Sequence, residues 1–314
     1  MSSRARQYVY GPVPSRRLGR SLGIDLVPFK TCSYDCIYCQ LGRTTNKTTE
    51  LREYVPVQGV LDELASRLPF DPAPVFIGLA GSGEPTLHAR IGDLIAGIKK
   101  MTSIPVAVLT NGSMLWRPEV RAGIGNADLV LPSLDAGDQH SFERVNRPHH
   151  DISFDRMTEG LTAFAAGFRG TIWLEVFVLA GLTDGADGIR RIAAIAKRIH
   201  PARVQLNTVS RPPAEGDALA ASSETLEQLR RLFSGFSEVI AERHQVKPSD
   251  SVGSTEDEVL ALLARRPCTV EGISVGLGLR PSEAIKYLDL LCTRGAVRPE
   301  RRDNVVFYEK VRTL

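Results

Sequence analysis

From about residue 22 to about residue 242, short apolar runs alternate with stretches whose apolar residues recur every three or four positions. Apolar runs of strand length bounded by Gly or Pro read as buried strands, and the three-to-four spacing reads as amphipathic helix. The strands are predicted at 22–27, 75–80, 105–110, 129–133, 171–179 and 203–209. Helices are predicted at 57–68, 91–98, 118–124, 154–164, 188–199 and 224–242, with Ser153 as an N-cap. Strand and helix in alternation imply a parallel sheet with right-handed crossovers, and six units are too few to close an eight-stranded barrel. The expected architecture is an α/β fold, an open six-strand (β/α)6 partial TIM barrel over residues 1–246.

A polar linker at 247–253 is expected to separate this barrel from a second domain at 254–314. Thr255-Glu256-Asp257-Glu258 has capping-box spacing before the apolar helix 259–263. Helices are predicted at 269–277 and 281–292, and a hairpin at 297–311 turns around Arg301-Arg302-Asp303-Asn304. The third helix is expected to bury Ala284, Ile285, Leu288 and Leu291, leaving Glu283, Lys286 and Asp289 outside. Three helices and a hairpin resemble a winged helix-turn-helix. Ten basic residues balance ten acidic ones from residue 249 onward, so the hairpin, with Arg298, Arg301, Arg302, Lys310 and Arg312, is its better nucleic-acid surface. Peptide or protein docking and a structural role stay open beside that reading.

Composition narrows the picture. With 43% hydrophobic and 24% charged residues, the 314-residue chain is expected to fold throughout. No apolar h-region follows the N-terminus and no apolar run is long enough to span a bilayer, so neither export signal nor membrane span is expected. The expected location is the cytoplasm, where clustered thiols bind metal in preference to forming disulfides. Net charge is only +3, yet residues 1–47 hold eight Lys or Arg against Asp25 and Asp35. That excess either receives an anionic substrate or offsets a negatively charged cluster.

The candidate chemistry begins at Cys32-Ser33-Tyr34-Asp35-Cys36-Ile37-Tyr38-Cys39, directly after the first predicted strand. Thiolates hold iron–sulfur clusters, and a four-iron cluster takes four ligands. Cys32, Cys36 and Cys39 supply three. Cys268 and Cys292 lie more than two hundred residues downstream among apolar neighbours and read as small core residues. A zinc site or plain ferredoxin would need another close Cys or His, and the next is His88. One iron is therefore left open, the mark of a catalytic site.

Cys-x3-Cys-x2-Cys with Tyr38 before its last cysteine resembles the radical S-adenosylmethionine (SAM) superfamily. The resemblance implies a 4Fe-4S cluster whose open iron is chelated by the amino and carboxylate groups of SAM. It implies reductive cleavage of SAM to methionine and a 5′-deoxyadenosyl radical that abstracts hydrogen, and a reductant such as ferredoxin or flavodoxin. Gly81-Ser82-Gly83-Glu84-Pro85, after the second strand, is similar to the family's glycine-glycine-glutamate motif for the SAM amino group, departing at Ser82. Asn111, Ser133 and Asp135, at the ends of strands three and four, match positions near bound SAM, and Tyr38 matches the aromatic whose backbone meets the adenine. Within the superfamily the chain most resembles the wyosine-base (4-demethylwyosine) synthases, without the cysteines that hold their second cluster.

The substrate side is less family-bound. Glu175 lies on the face of Trp173 and Phe177 in strand five, and Arg203, Gln205 and Asn207 share a face of strand six. A structural ion pair between Glu175 and Arg203 competes with a substrate role for this set together with Asp25. Candidate catalytic residues are Glu175, Arg147 and Arg211. The substrate is unidentified, an RNA base being one candidate and a protein or peptide another. The alternatives are a glycyl-radical-type activase acting on a partner protein and an iron–sulfur-sensing DNA-binding regulator.

Overall fold

The computed structural model describes residues 8–70, 73–240, 256–277, 279, 281–302 and 305–311. The predicted linker 247–253, Thr255 of the capping box, and Asp303 and Asn304 of the hairpin turn lie outside the described residues. Among those described, no helix is long and apolar enough to cross a membrane.

One eight-stranded sheet carries the larger unit: β1 (Val9–Ser15), β2 (Gly19–Ile24), β3 (Phe76–Leu79), β4 (Val106–Thr110), β5 (Leu129–Pro132), β6 (Thr171–Phe177), β7 (Arg203–Asn207) and β8 (Ser237–Val239). Each strand pairs with its neighbour in sequence, and all pairs are parallel except β1 with β2. Strand order that follows sequence order curls a sheet in one sense, and this one stays open, a partial barrel.

The helices are α1 (Val57–Arg67), α2 (Ile91–Met101), α3 (Pro118–Ile124), α4 (Gln139–Asn146), α5 (Phe154–Gly167), α6 (Ala186–Ile199) and α7 (Ser223–Arg230). They bury the faces that their spacing marked, as Ile189, Ile192, Ala196 and Ile199 do in α6. The Ser153 hydroxyl accepts from Arg156 N at 3.2 Å, capping α5 as expected.

Four elements differ from expectation. β1 contains Pro12 and Pro14, which argue against a central strand, and it occupies the sheet edge where proline is tolerated. The last helix ends at Arg230, well short of residue 242. Gly235 then takes φ +85°, in the left-handed region, and Ser237–Val239 joins β7 as a further strand. α4 buries little beyond Phe142 and Val145 and is too short to signal by periodicity, although Asp138 caps it through Ser141 N.

The smaller unit has three helices, α8 (Glu256–Arg265), α9 (Val270–Leu277) and α10 (Pro281–Thr293), and an antiparallel hairpin of β9 (Val297–Arg302) and β10 (Val305–Lys310). Its own core includes Val259, Leu262, Ile273, Leu288 and Leu291, with Cys268 buried in it and Cys292 packed against it. Ala284, Leu288 and Leu291 are buried as expected, whereas Ile285 is 46% exposed. Paired backbone bonds between Cys268 and Tyr308, 3.0 and 2.8 Å, tie the hairpin to the α8–α9 turn. The unit meets the barrel at β1, where the Arg265 guanidinium lies 3.5 Å from the Tyr10 ring centroid.

Candidate active site

Pro28 ends the strand region after β2, and the chain turns through Lys30, whose φ of +57° is left-handed, into the cysteine loop. The last turn of a helix leaves carbonyls without intrahelical partners. Those of α4 accept from this loop: Asp35 N to Asn146 O at 3.0 Å and Ile37 N to Val145 O at 3.0 Å. On the far side, Thr44 N donates to Asp35 Oδ1 at 2.6 Å and the Thr44 hydroxyl to Tyr34 O at 2.7 Å. A helix that periodicity missed is thus the brace of the loop.

Each of the three sulfurs faces a nitrogen donor. Lys30 Nζ lies 3.2 Å from Cys39 Sγ, Asn111 Nδ2 3.5 Å from Cys32 Sγ and Asn146 Nδ2 3.5 Å from Cys36 Sγ. Hydrogen bonds to cluster sulfurs tune the potential of an iron–sulfur centre. Burial pushes the Cys32 thiol up to about 12, with the Glu84 carboxylate adding to the effect. Burial, then the neighbouring Cys32 and Cys39 sulfurs, raise Cys36 well above the ordinary thiol range. Such thiols ionise only against a strong local positive charge, which bound iron provides. By their thiol chemistry and the nitrogen donor beside each sulfur, the three cysteines fit a 4Fe-4S cluster.

The Gly81-Ser82-Gly83-Glu84 loop is pressed against this cradle. A Cβ on Gly83 would sit 1.8 Å from Thr31 O, the carbonyl that accepts Glu84 N at 3.1 Å. Gly81 has φ +136° and lies against the Asp25 side chain. The buried Glu84 carboxylate caps the following turn through Thr86 N at 3.0 Å. It also accepts the Thr86 and Thr110 hydroxyls at 2.5 and 2.6 Å and Asn111 N at 2.8 Å. Burial still raises its pKa, since these donors only partly offset desolvation. Glu84 thereby locks its loop to the end of β4. Asp25 takes Ser82 N at 3.0 Å on one oxygen, and on the other the Ser82 hydroxyl and Arg265 Nη1, the latter at 3.3 Å.

A second network joins the strand ends. Asp135 accepts from the Tyr38 hydroxyl, from Asn146 Nδ2 at 2.9 Å and from Phe177 N at 3.0 Å. Burial lifts its carboxyl to about 6 in spite of these donors. The Tyr38 ring stacks on Phe177 at 4.0 Å between centroids, so both ends of this side chain are fixed. Asn111 also reaches Ser33 Oγ at 3.0 Å. Ser133 is half-buried at the end of β5, and its backbone pairs with Glu175. Tyr38, Asn111 and Asp135 therefore converge on the cysteine loop, while Ser133 stands beside them.

Glu175 is buried at 7% exposure and pairs with Arg17, accepting also from Asn207 Nδ2 at 2.9 Å. The ion pair with Arg203, one of the two readings open for this set, does not form. Arg203 is drawn to the opposite side by Glu238 at 2.9 Å, on the additional strand β8, and lies 4.3 Å from the Trp173 ring centroid. Gln205 follows it to Glu238, also at 2.9 Å. Asp25 faces Ser82 and Arg265, apart from this set. Arg147, left-handed at φ +45°, pairs with Glu215 at 2.7 Å, a carboxylate shared with Arg43 at 2.8 Å. Arg211 donates to Gln40 Oε1 at 3.0 Å.

Sequence reasoning gave no individual role to Lys30, Asn146, Arg17 or Arg265, although the polar runs that hold Asn146 and Arg17 read as possible pocket walls. Lys30 carried a local signal, a lysine two residues before the first of the three cysteines; the other three meet their partners across distant segments.

A family model described as the Radical SAM superfamily matches residues 26–193. A UPF0026 protein of Methanocaldococcus jannaschii is 31% identical over 96% of this chain and 95% of its own length. A Brachyspira hyodysenteriae protein named GTPase Obg is 39% identical over 96% of this chain, which spans 45% of that relative's length. Among solved structures, a radical SAM methyltransferase from Sphaerobacter thermophilus aligns over 70% of this chain and 65% of its own. Its TM-score is 0.53 at 12% identity, a likeness of fold.

Proposed function

The chain belongs to the radical SAM superfamily, whose members are enzymes that bind a 4Fe-4S cluster and SAM and draw on a reductant, and from that premise we propose that it generates a radical for hydrogen abstraction from a substrate at the mouth of its partial barrel. When bound, the cluster and SAM supply an electron and a cleavable sulfonium, giving methionine and a 5′-deoxyadenosyl radical. Cys32, Cys36 and Cys39 hold the cluster, and Lys30, Asn111 and Asn146 direct N–H donors at the three sulfurs. Gly81, Ser82 and Gly83 present backbone to SAM, at a distance set by Glu84 and by Asp25. Asn111, Ser133 and Asp135 receive its polar groups, and Tyr38 lines the adenine end. Glu175, Arg147 and Arg211 are the substrate-side candidates, and the setting is the reducing cytoplasm.

The observation that carries this reading is the donor set. Three thiols share one cradle with a nitrogen donor at each sulfur, while Cys268 and Cys292 belong to the second core. A cluster held so keeps one iron for a small-molecule chelator. The test is anaerobic reconstitution with iron and sulfide, then dithionite and SAM. Methionine and 5′-deoxyadenosine are expected in equal amounts, and Cys32→Ala, Cys36→Ala and Cys39→Ala are expected to lose both the cluster absorbance and the products. Cys292→Ser should keep both. Reconstituted parent protein that releases no methionine rules the proposal out.

A further inference from the structure

The residue after Cys39 opens a cleft of about 680 Å³ between the barrel and the C-terminal unit. Gln40, Leu41 and Gly42 form one wall, and Arg266, Arg298 and Lys310 line the other. The acidic groups of the cleft are Glu300 and Glu309. Glu309 is taken by Arg298 at 2.5 Å. Arg266 has no carboxylate partner among the described residues. Arg211 precedes the lining residues Pro212 and Pro213 and donates to Gln40 Oε1, a neutral acceptor on the cleft wall, at 3.0 Å.

Burial, then repulsion from Arg266, brings Arg211 down to about 9. Two half-buried guanidinium groups that repel one another, with a neutral amide as the acceptor for Arg211, are poorly compensated. An anion among them would restore the balance.

We propose that this cleft binds a phosphate-bearing ligand, with Arg266 and Arg211 as its anion contacts. The planar fork of a guanidinium matches phosphate oxygens two at a time, and two arginines approaching from different units can share one multiply charged group. Leu41, Leu263 and Pro213 add apolar wall for the body that carries the phosphate. The volume is that of a small-molecule or single-nucleotide site. Because the cleft begins beside Cys39, the ligand reads as the substrate, a step that rests on the proposed function; the binding itself does not.

Titration calorimetry on the full chain tests this with two probes, a short single-stranded oligoribonucleotide and inorganic pyrophosphate. Saturable binding of the oligoribonucleotide identifies a phosphodiester strand as the source, and binding of pyrophosphate alone identifies a small phosphate ester. Either supports the site. Arg266→Glu and Arg211→Gln should each weaken that binding by about tenfold or more, the scale of a lost charge-assisted contact. Arg198→Glu, a charge reversal on the exposed side of α6, should leave it within about twofold. No binding of either probe, equal binding by the Arg266 and Arg211 variants, or equal displacement by polyglutamate overturns the proposal. SAM cleavage by the same reconstituted protein separates the two readings. Cleavage without phosphate binding sinks this site alone, and phosphate binding without cleavage sinks the radical reading alone.

Discussion

Arg265→Met removes the one described side chain of the C-terminal unit that reaches the carboxylate behind the Gly81–Glu84 loop. The pair it breaks is largely buried, with side-chain exposures of 17% for Arg265 and 10% for Asp25. Deleting one partner of a buried pair costs about 3–5 kcal/mol. Two features reduce that figure here. The 3.3 Å contact is at the long end of the hydrogen-bonding range, and Asp25 keeps the Ser82 amide and hydroxyl. The lost contact with the Tyr10 ring, 3.5 Å from the guanidinium, restores about 0.5–2 kcal/mol. A net loss of about 2–3 kcal/mol follows. Urea unfolding of the parent, Arg265→Met, Asp25→Asn and the double variant completes a cycle, with an expected coupling of about 1–2 kcal/mol. The apparent Kd for SAM should rise in Arg265→Met, because Asp25 is then a looser brace for Ser82. An Arg265→Met stability within about 0.5 kcal/mol of the parent, with no coupling to Asp25, would refute the reasoning.

Gly83→Ala drives a methyl group into Thr31 O, a backbone atom already engaged by Glu84 N. It should cost about 2–4 kcal/mol from overpacking and a lost backbone bond, read by thermal unfolding, and normal stability contradicts it. His88 is 1% exposed, bonds Val55 O through Nε2 at 2.8 Å and accepts Arg90 N on Nδ1 at 3.3 Å, and burial lowers its pKa. The unfolded chain takes up this proton near pH 6.5 and the native chain only below it. The His88 contribution is therefore present above pH 6.5 and lost as pH falls, by at most about 1.4 kcal/mol per unit. His88→Gln should flatten that part of the pH–stability curve. Lys30→Met withdraws a cation and a donor from Cys39, so the cluster's reduction potential should move negative with iron content kept. A redox titration giving an unchanged or higher potential contradicts this.

Much of the fold and the centre of the site are legible in the chain because they depend on local order. Strand runs and helix faces repeat with fixed periods, and the cysteine and glycine motifs are contiguous. What escaped depends on distance or on weak local signals. Ser237–Val239 is three residues long and follows a helical pattern, so only its pairing with β7 reveals a strand. That same strand brings Glu238 to Arg203 and so redirects a side chain that one of the two open readings paired with Glu175. Arg17, in the turn between β1 and β2, is the partner that Glu175 finds, 158 residues away in sequence. No periodicity encodes such a contact.

The loop that carries the thiols rests on carbonyls made much later in synthesis: Asn146 reaches back 110 positions to Cys36. A nascent chain paused after β3 would display all three cysteines without the shelf beneath them. Metal delivery therefore has a natural earliest moment, once α4 has left the ribosome, and cluster assembly should favour the finished barrel over any shorter fragment.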